Sequence, residues 1–211
     1  MRTTLILIIF LFLNFQYAFS QKSEDFEGVI HYKIDYQTPD GQIIQDKSFK
    51  YFGDSVAIYI KKGNYKQVYP SSSKLNNIVY LYKKNDYFYT LNNYDTILVD
   101  DYSTPANPIL DYGTIDTSAT VLGVHCRGYF VKTTNAINIL FYAPSLYKKP
   151  EYFTNHLEFG YNHYTEDTRS IYLKLISYDG KMVTSFTAYK IEKKKIPDSV
   201  FRIPKMKTRR I

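Results

Sequence analysis

Five side chains could carry proton-transfer or nucleophilic chemistry near neutral pH: His31, His125, His156, His163 and Cys126. An imidazole exchanges a proton near pH 7 without help, whereas a thiol becomes a nucleophile when a base draws off its proton. His125 and Cys126 are adjacent, and neighbours on a β-strand point to opposite faces, so this pair cannot serve as base and nucleophile. His156 and His163 lie seven positions apart, two turns of a helix, which is too far along the axis to share a metal without further ligands. A lone cysteine excludes an internal disulfide framework and any multi-cysteine metal site. The histidines are expected at the surface or an interface, and Cys126 as a small buried hydrophobe.

Other signatures of catalysis are missing from the sequence. The 9 glycines stand singly at turns rather than in a phosphate-cradling loop, and neither a GxSxG elbow nor an HExxH helix occurs. The carboxylate pairs Asp100–Asp101 and Glu166–Asp167 read as solvated turns. The expectation is a protein that is not an enzyme and uses no metal or cofactor.

Tyrosine is the residue in excess. The 211 residues include 23 Tyr and 14 Phe but no Trp, and aromatics at 18% favour strands over helices. Tyr80 and Tyr82 share one face of a strand, Tyr87 and Tyr89 one face of the next, and pairing lines the four up across a hairpin. A tyrosine ring with its polar tip suits a half-wet sheet, so packing is the first reading of these residues. A concave aromatic surface for an acyl chain or other apolar ligand is the functional one, and it makes Tyr80, Tyr82, Tyr87 and Tyr89 the candidate ligand-binding residues.

The elements that would position them are strands. FEGVIHYKIDY alternates Ile30, Tyr32, Ile34 and Tyr36 against His31, Lys33 and Asp35. The pattern repeats in SVAIYIK, NYKQVY, IVYLYKK, DYFYTL, DTILVDD, ATVLGV, RGYFVKTT, INILFYA, SIYLKLISY and KMVTSFTAYKIEKK, with short polar turns between and Asp179–Gly180 as the strongest hairpin signal. Tyr102 to Thr117 holds two prolines and little periodicity, so it reads as a connection. The spacing of Tyr152, Phe153, Leu157 and Phe159 predicts one short helix over Glu151–Phe159, with Pro150 in its first turn. The expected fold is mainly β: a curved antiparallel sheet or incomplete barrel of roughly ten strands, by the count of such runs, with one short helix packed on it.

The amino terminus reads as an address. Arg2, an apolar run from Leu5 to Leu13, and small residues at Ala18 and Ser20 have the layout of a secretory signal peptide, cut between Ser20 and Gln21. Residues 1–20 are thus a signal peptide and 21–211 a single β-rich domain. Export without disulfides fits the periplasm or the outside of a bacterial cell. The net charge of +7 sits at turns and ends, in Lys61–Lys62, Lys83–Lys84, Lys148–Lys149, Lys193–Lys195 and the KMKTRR tail, as solvated tips. Such clusters suit peripheral contact with the envelope better than a groove for nucleic acid, which an exported protein would rarely meet. A membrane barrel also alternates along its strands, but its chain would not be expected to end in KMKTRRI.

Two segments resemble a known family. TVLGVHCRGYFV, Thr120 to Val131, is similar to the T-x-LG-x-x-C-x-x-Y strand pair of exported bacterial proteins of the LolA-like superfamily. KIEKKKIPDSVFRIP, Lys190 to Pro204, resembles their closing PDSLFxLP pattern, and FEGVIHYKI and LFYAPSLYKKPEYF fall in the same order. The nearest group is the uncharacterised exported domains of Bacteroidetes related to the GLPGLI type, although the GLPGLI signature itself is missing. The resemblance implies an incomplete antiparallel barrel wrapped around a helix, whose hollow in the lipoprotein carriers accepts acyl chains. The expected function is noncatalytic binding of a lipid, lipoprotein acyl chain or other apolar ligand. The alternative is a structural or protein-interaction module of the envelope, working through a sheet edge or the basic tail.

Overall fold

The computed structural model describes residues 24–46 and 50–211. The expected signal peptide and its cut at Ser20 and Gln21 lie outside the described residues. Twelve strands form one sheet: β1 (Gly28–Gln37), β2 (Ser55–Lys61), β3 (Asn64–Val68), β4 (Leu75–Leu81), β5 (Asp86–Leu91), β6 (Thr96–Asp101), β7 (Ile109–Val121), β8 (Val124–Thr133), β9 (Ile137–Tyr147), β10 (Ser170–Tyr178), β11 (Val183–Lys193) and β12 (Lys207–Arg210). The order across the sheet is β12-β6-β5-β4-β3-β2-β1-β11-β10-β9-β8-β7. Among the described residues there is one α-helix, α1 (Tyr161–Thr168), between β9 and β10.

The sheet is open but strongly curled. In a flat sheet β5 and β9 would stand seven strand spacings apart, roughly 34 Å at the usual 4.8 Å separation. Instead, side chains of β5 and β9 line the same hollow, and β7 comes back into contact with β11. Curling gives the alternating strands an inside. Ile30, Tyr32, Ile34 and Tyr36 of β1 are all buried, as the period-two pattern requires.

A second apolar layer covers the other face of the β1–β6 region. Val29, Val79, Phe88, Ile97 and Val99 form a separate cluster, closed by Ile196 and Phe201 of the segment after β11. Lys61 on β2 anchors that segment, its Nζ 2.8 Å from the Ile196 carbonyl and 2.7 Å from Asp198. The chain then runs on to place β12 beside β6.

Four expectations from the sequence need correction. The KMKTRR tail is no free solvated end: Lys207–Arg210 pair with Thr96–Val99 in the sheet's parallel pairing, and Arg210 reaches Asp86 at 3.1 Å. The backbone edge of β6 supplies hydrogen bonds that no side-chain pattern announces. The expected connection over Tyr102–Thr117 is loop only to Pro108, and β7 starts at Ile109. As an edge strand with a bulge between Ile115 and Ser118 it has no consistently buried face, so it shows no alternation. ATVLGV is not one strand, since Leu122 and Gly123, at φ 53° and 74°, make the β7–β8 turn within it.

The helix is the fourth correction. Glu151–Phe159 is not helical throughout; Pro150–Tyr152 and Glu158–Gly160 are single 3-10 turns, and α1 follows. Phe159 and Gly160 both have positive φ, 54° and 64°, which breaks any helix running through them. The α1 sequence YNHYTEDT contains few strong helix formers, so the helix depends on burying Tyr164 and Thr165 rather than on propensity.

Candidate functional site

Lys148 to Arg169 form a plug that enters the curl from one end. Phe153, His156 and Tyr164 on this segment are 1%, 2% and 0% exposed. His156 sits at the centre of an aromatic box, its ring centroid 4.9–5.5 Å from Tyr80, Tyr87, Tyr102 and Tyr161. The Tyr87 and Tyr65 hydroxyls lie within hydrogen-bond distance of Nε2, at 2.9 and 3.2 Å. Nδ1 has no well-aligned partner. Burial disfavours the imidazolium and holds the His156 pKa down to about 3. The expected surface role thus fails for this histidine, because the residues that bury it come from β3, β4, β5, the loop after β6, and α1.

The other three histidines stay near solvent. His31 meets Glu192 at 3.0 Å, His163 stacks on Tyr112 at 4.1 Å, and His125 is exposed on β8. His125 and Cys126 are separated by burial, Cys126 being 0% exposed.

Beside the box the plug does not fill the curl. A hollow of about 480 Å³ remains, walled by Ile58, Ile60, Leu140 and Leu175 and by tyrosines that include Tyr32, Tyr69 and Tyr172. It extends from Lys148 and Phe153 at the plug end to Asp179, Met182 and Phe186 at the β10–β11 hairpin. The β1 strand spans the same distance, from Gly28 paired with Ile60 to Gln37 paired with Val183. At the plug end the β2–β3 turn packs directly on aromatic rings; a Cβ on Gly63 would stand 2.5 Å from Tyr82 and 2.6 Å from Tyr152.

The four candidate tyrosines divide. Tyr80 and Tyr87 are direct cross-strand partners, and Ile78 rather than Tyr82 faces Tyr89. Tyr87 and Tyr89 border the hollow, Tyr89 through a hydroxyl contact with Tyr102. Tyr80 lies behind them, 1% exposed, with its hydroxyl donating to Asn85 at 2.8 Å. Tyr82 follows the end of β4 and packs on Tyr152 with ring centroids 4.9 Å apart, away from the hollow.

Lys148 is the residue that sequence reasoning misplaced. Far from being a solvated tip, it is 2% exposed and lines the hollow. Its Nζ donates to the Lys62 carbonyl and lies 3.5 Å from Asp25. Burial lowers its pKa to about 8, against the pull of Asp25, while the Asp25 carboxyl is itself pushed up by burial. Nothing in the KK doublet marks one member for burial.

The fold and hollow together define a class: an open, curled antiparallel sheet, plugged at one end, around a small-molecule-sized space. Among solved structures the chain is similar to PNGF-II, with TM-score 0.51 and 12% identity over 87% of this chain and 32% of that one. The chain therefore spans about a third of the length of that relative. An uncharacterised conserved protein from Thermus thermophilus aligns with TM-score 0.48 and 8% identity, over 88% of this chain and 91% of that one. A LolA superfamily protein from Nitrosomonas europaea aligns with TM-score 0.39 and 11% identity, over 85% and 91%. No family model and no curated protein matches the chain.

Proposed function

We propose that the protein is a noncatalytic, exported binding protein that holds an apolar ligand, of the size of a single acyl chain, in the hollow of its sheet. The observation that carries this reading is the 480 Å³ space lined chiefly by isoleucine, leucine and tyrosine. Small-molecule sites typically measure about 300–1,000 Å³ and are mostly apolar with a few polar groups. A buried space of this size costs dispersion contacts, and a ligand would restore them. Within this reading Tyr87 and Tyr89 are wall residues, and Tyr80 and Tyr82 support the wall from behind and from the side.

The sequence resemblance to LolA-like proteins, including the exported Bacteroidetes domains related to the GLPGLI type, supports the same reading. So does the signal-like leader of residues 1–20, which would place the domain of residues 21–211 in the periplasm or outside the cell. Among the described residues no helix is long and apolar enough to cross a membrane.

The test is native mass spectrometry of gently purified protein, followed by displacement of a fluorescent fatty acid. Within the capacity of the hollow, each added pair of methylenes in a competing chain should tighten binding roughly tenfold, since a buried methylene contributes about 0.8 kcal/mol. Ile58→Trp, which fills the hollow from β2, should weaken binding at least tenfold. Absence of both a bound molecule and any displacement from the wild-type protein overturns the proposal.

A further inference from the structure

Lys148 is the one lysine or arginine buried among the described residues, and it stands in the wall of an apolar hollow. An ammonium in such a place is stable only if its charge is well compensated. Its compensation is poor. The neutral Lys62 carbonyl accepts one hydrogen bond, and the rings of Tyr152 and Phe153 stand 5.6 and 5.7 Å away. The sole carboxylate within salt-bridge distance, Asp25, is 3.5 Å off, well beyond the roughly 2.8 Å of a strong charge-assisted bond. Asp25 is committed elsewhere, for its other oxygen accepts the Lys149 backbone N–H at 3.1 Å. Asp25 does not line the hollow; among the described residues the acidic side chain that does, Asp179, belongs to the β10–β11 hairpin at the opposite end.

The hollow thus has a cation at its plug end and a mostly apolar and aromatic wall along the rest of its length, interrupted by Gln67, Asn138, Ser177 and Thr184 and ending at Asp179. We infer that the ligand is an amphiphile with a single anionic head, carboxylate or phosphate, seated head-inward against Lys148 with its tail running toward the β10–β11 hairpin. This inference rests on the reading of the hollow as a ligand site and names the chemistry of what enters it. An anionic head completes the coordination that Asp25 leaves loose, and a tail along Ile58, Leu140 and Leu175 meets a wall that is mostly apolar or aromatic. A neutral alcohol of the same length meets the same wall but offers Lys148 no charge.

The experiment compares decanoate, decyl phosphate and decanol as competitors for a fluorescent fatty acid on the full domain at pH 6.5. Both anions should bind at least tenfold tighter than decanol, and the ranking of decanoate against decyl phosphate tells a fatty-acid head from a phosphate head. Lys148→Met should bring the anions to within twofold of decanol; Lys148→Arg should keep the preference. Equal binding of decanoate and decanol by the wild-type protein overturns the inference without need of any variant, and leaves the ligand-site reading intact. Failure of all three competitors to bind overturns both.

Discussion

Replacing His156 by phenylalanine should remove most of the acid sensitivity of the fold, because this ring is buried neutral and must be unburied to take a proton. The groups facing it from every packed element are aromatic: Tyr65 from β3, Tyr80 from β4, Tyr87 from β5, Tyr102 after β6, and Phe153 and Tyr161 from the plug. The nearest carboxylate on its own segment, Glu158, is held by the Ala106 backbone N–H at 2.7 Å. In the unfolded chain the histidine titrates near 6.5; in the folded protein it does so at about 3. Between these values the unfolded state binds more protons, so stability is fully present above pH 6.5 and is lost as pH falls toward 3. From pH 7 to pH 4 the loss is about 3 kcal/mol, at roughly 1.4 kcal/mol for each of the 2.5 units below the unfolded value. Against a typical total of about 5–15 kcal/mol this is a large share.

Urea unfolding followed by circular dichroism at pH 7, 6, 5 and 4 measures it. His156→Phe keeps a flat ring in the box but strands the Tyr65 and Tyr87 hydroxyls, a cost of about 1–3 kcal/mol per group at most that does not change with pH. Wild type should therefore start above the variant at pH 7 and lose about 3 kcal/mol more than the variant by pH 4. Parallel loss in the two proteins refutes the assignment of His156 as the acid-sensitive lock.

Two further outcomes test the packing. Gly28→Ala would place a methyl 2.1 Å from the Glu192 carbonyl across the β1–β11 pair, so it should cost about 1–3 kcal/mol in urea unfolding by forcing those backbones apart; an unchanged midpoint contradicts the register. Cys126 is fully buried and burial raises its thiol pKa, so a thiol reagent should label it only as fast as the protein opens, and rapid labelling of the folded protein contradicts its placement.

Much of the sheet was legible because strand alternation is a local pattern. Ile30, Tyr32, Ile34 and Tyr36 announce one buried face, and the Asp179–Gly180 turn announces the β10–β11 hairpin that the structure contains. Edge strands broke the rule for a physical reason: β7 buries neither face along most of its length, and β12 is held by backbone bonds while its four residues are all exposed. The plug was partly legible, as an aromatic segment without period two, but its helix was displaced to Tyr161–Thr168. Burial of Tyr164 against Tyr129 and Tyr142 outweighs the weak apolar spacing upstream.

By itself the sequence determined that this is a chain of antiparallel strands rich in tyrosine, with no recognisable catalytic constellation. Side-chain type and spacing along a strand are enough for that. Only the tertiary structure decided that the sheet curls, that His156 is sealed among tyrosines, and that Lys148 rather than Lys149 lies inside the hollow. Each of these depends on which distant strands meet, and burial, the cause of the shifted His156 and Lys148 titrations, is a property of those meetings rather than of any residue alone.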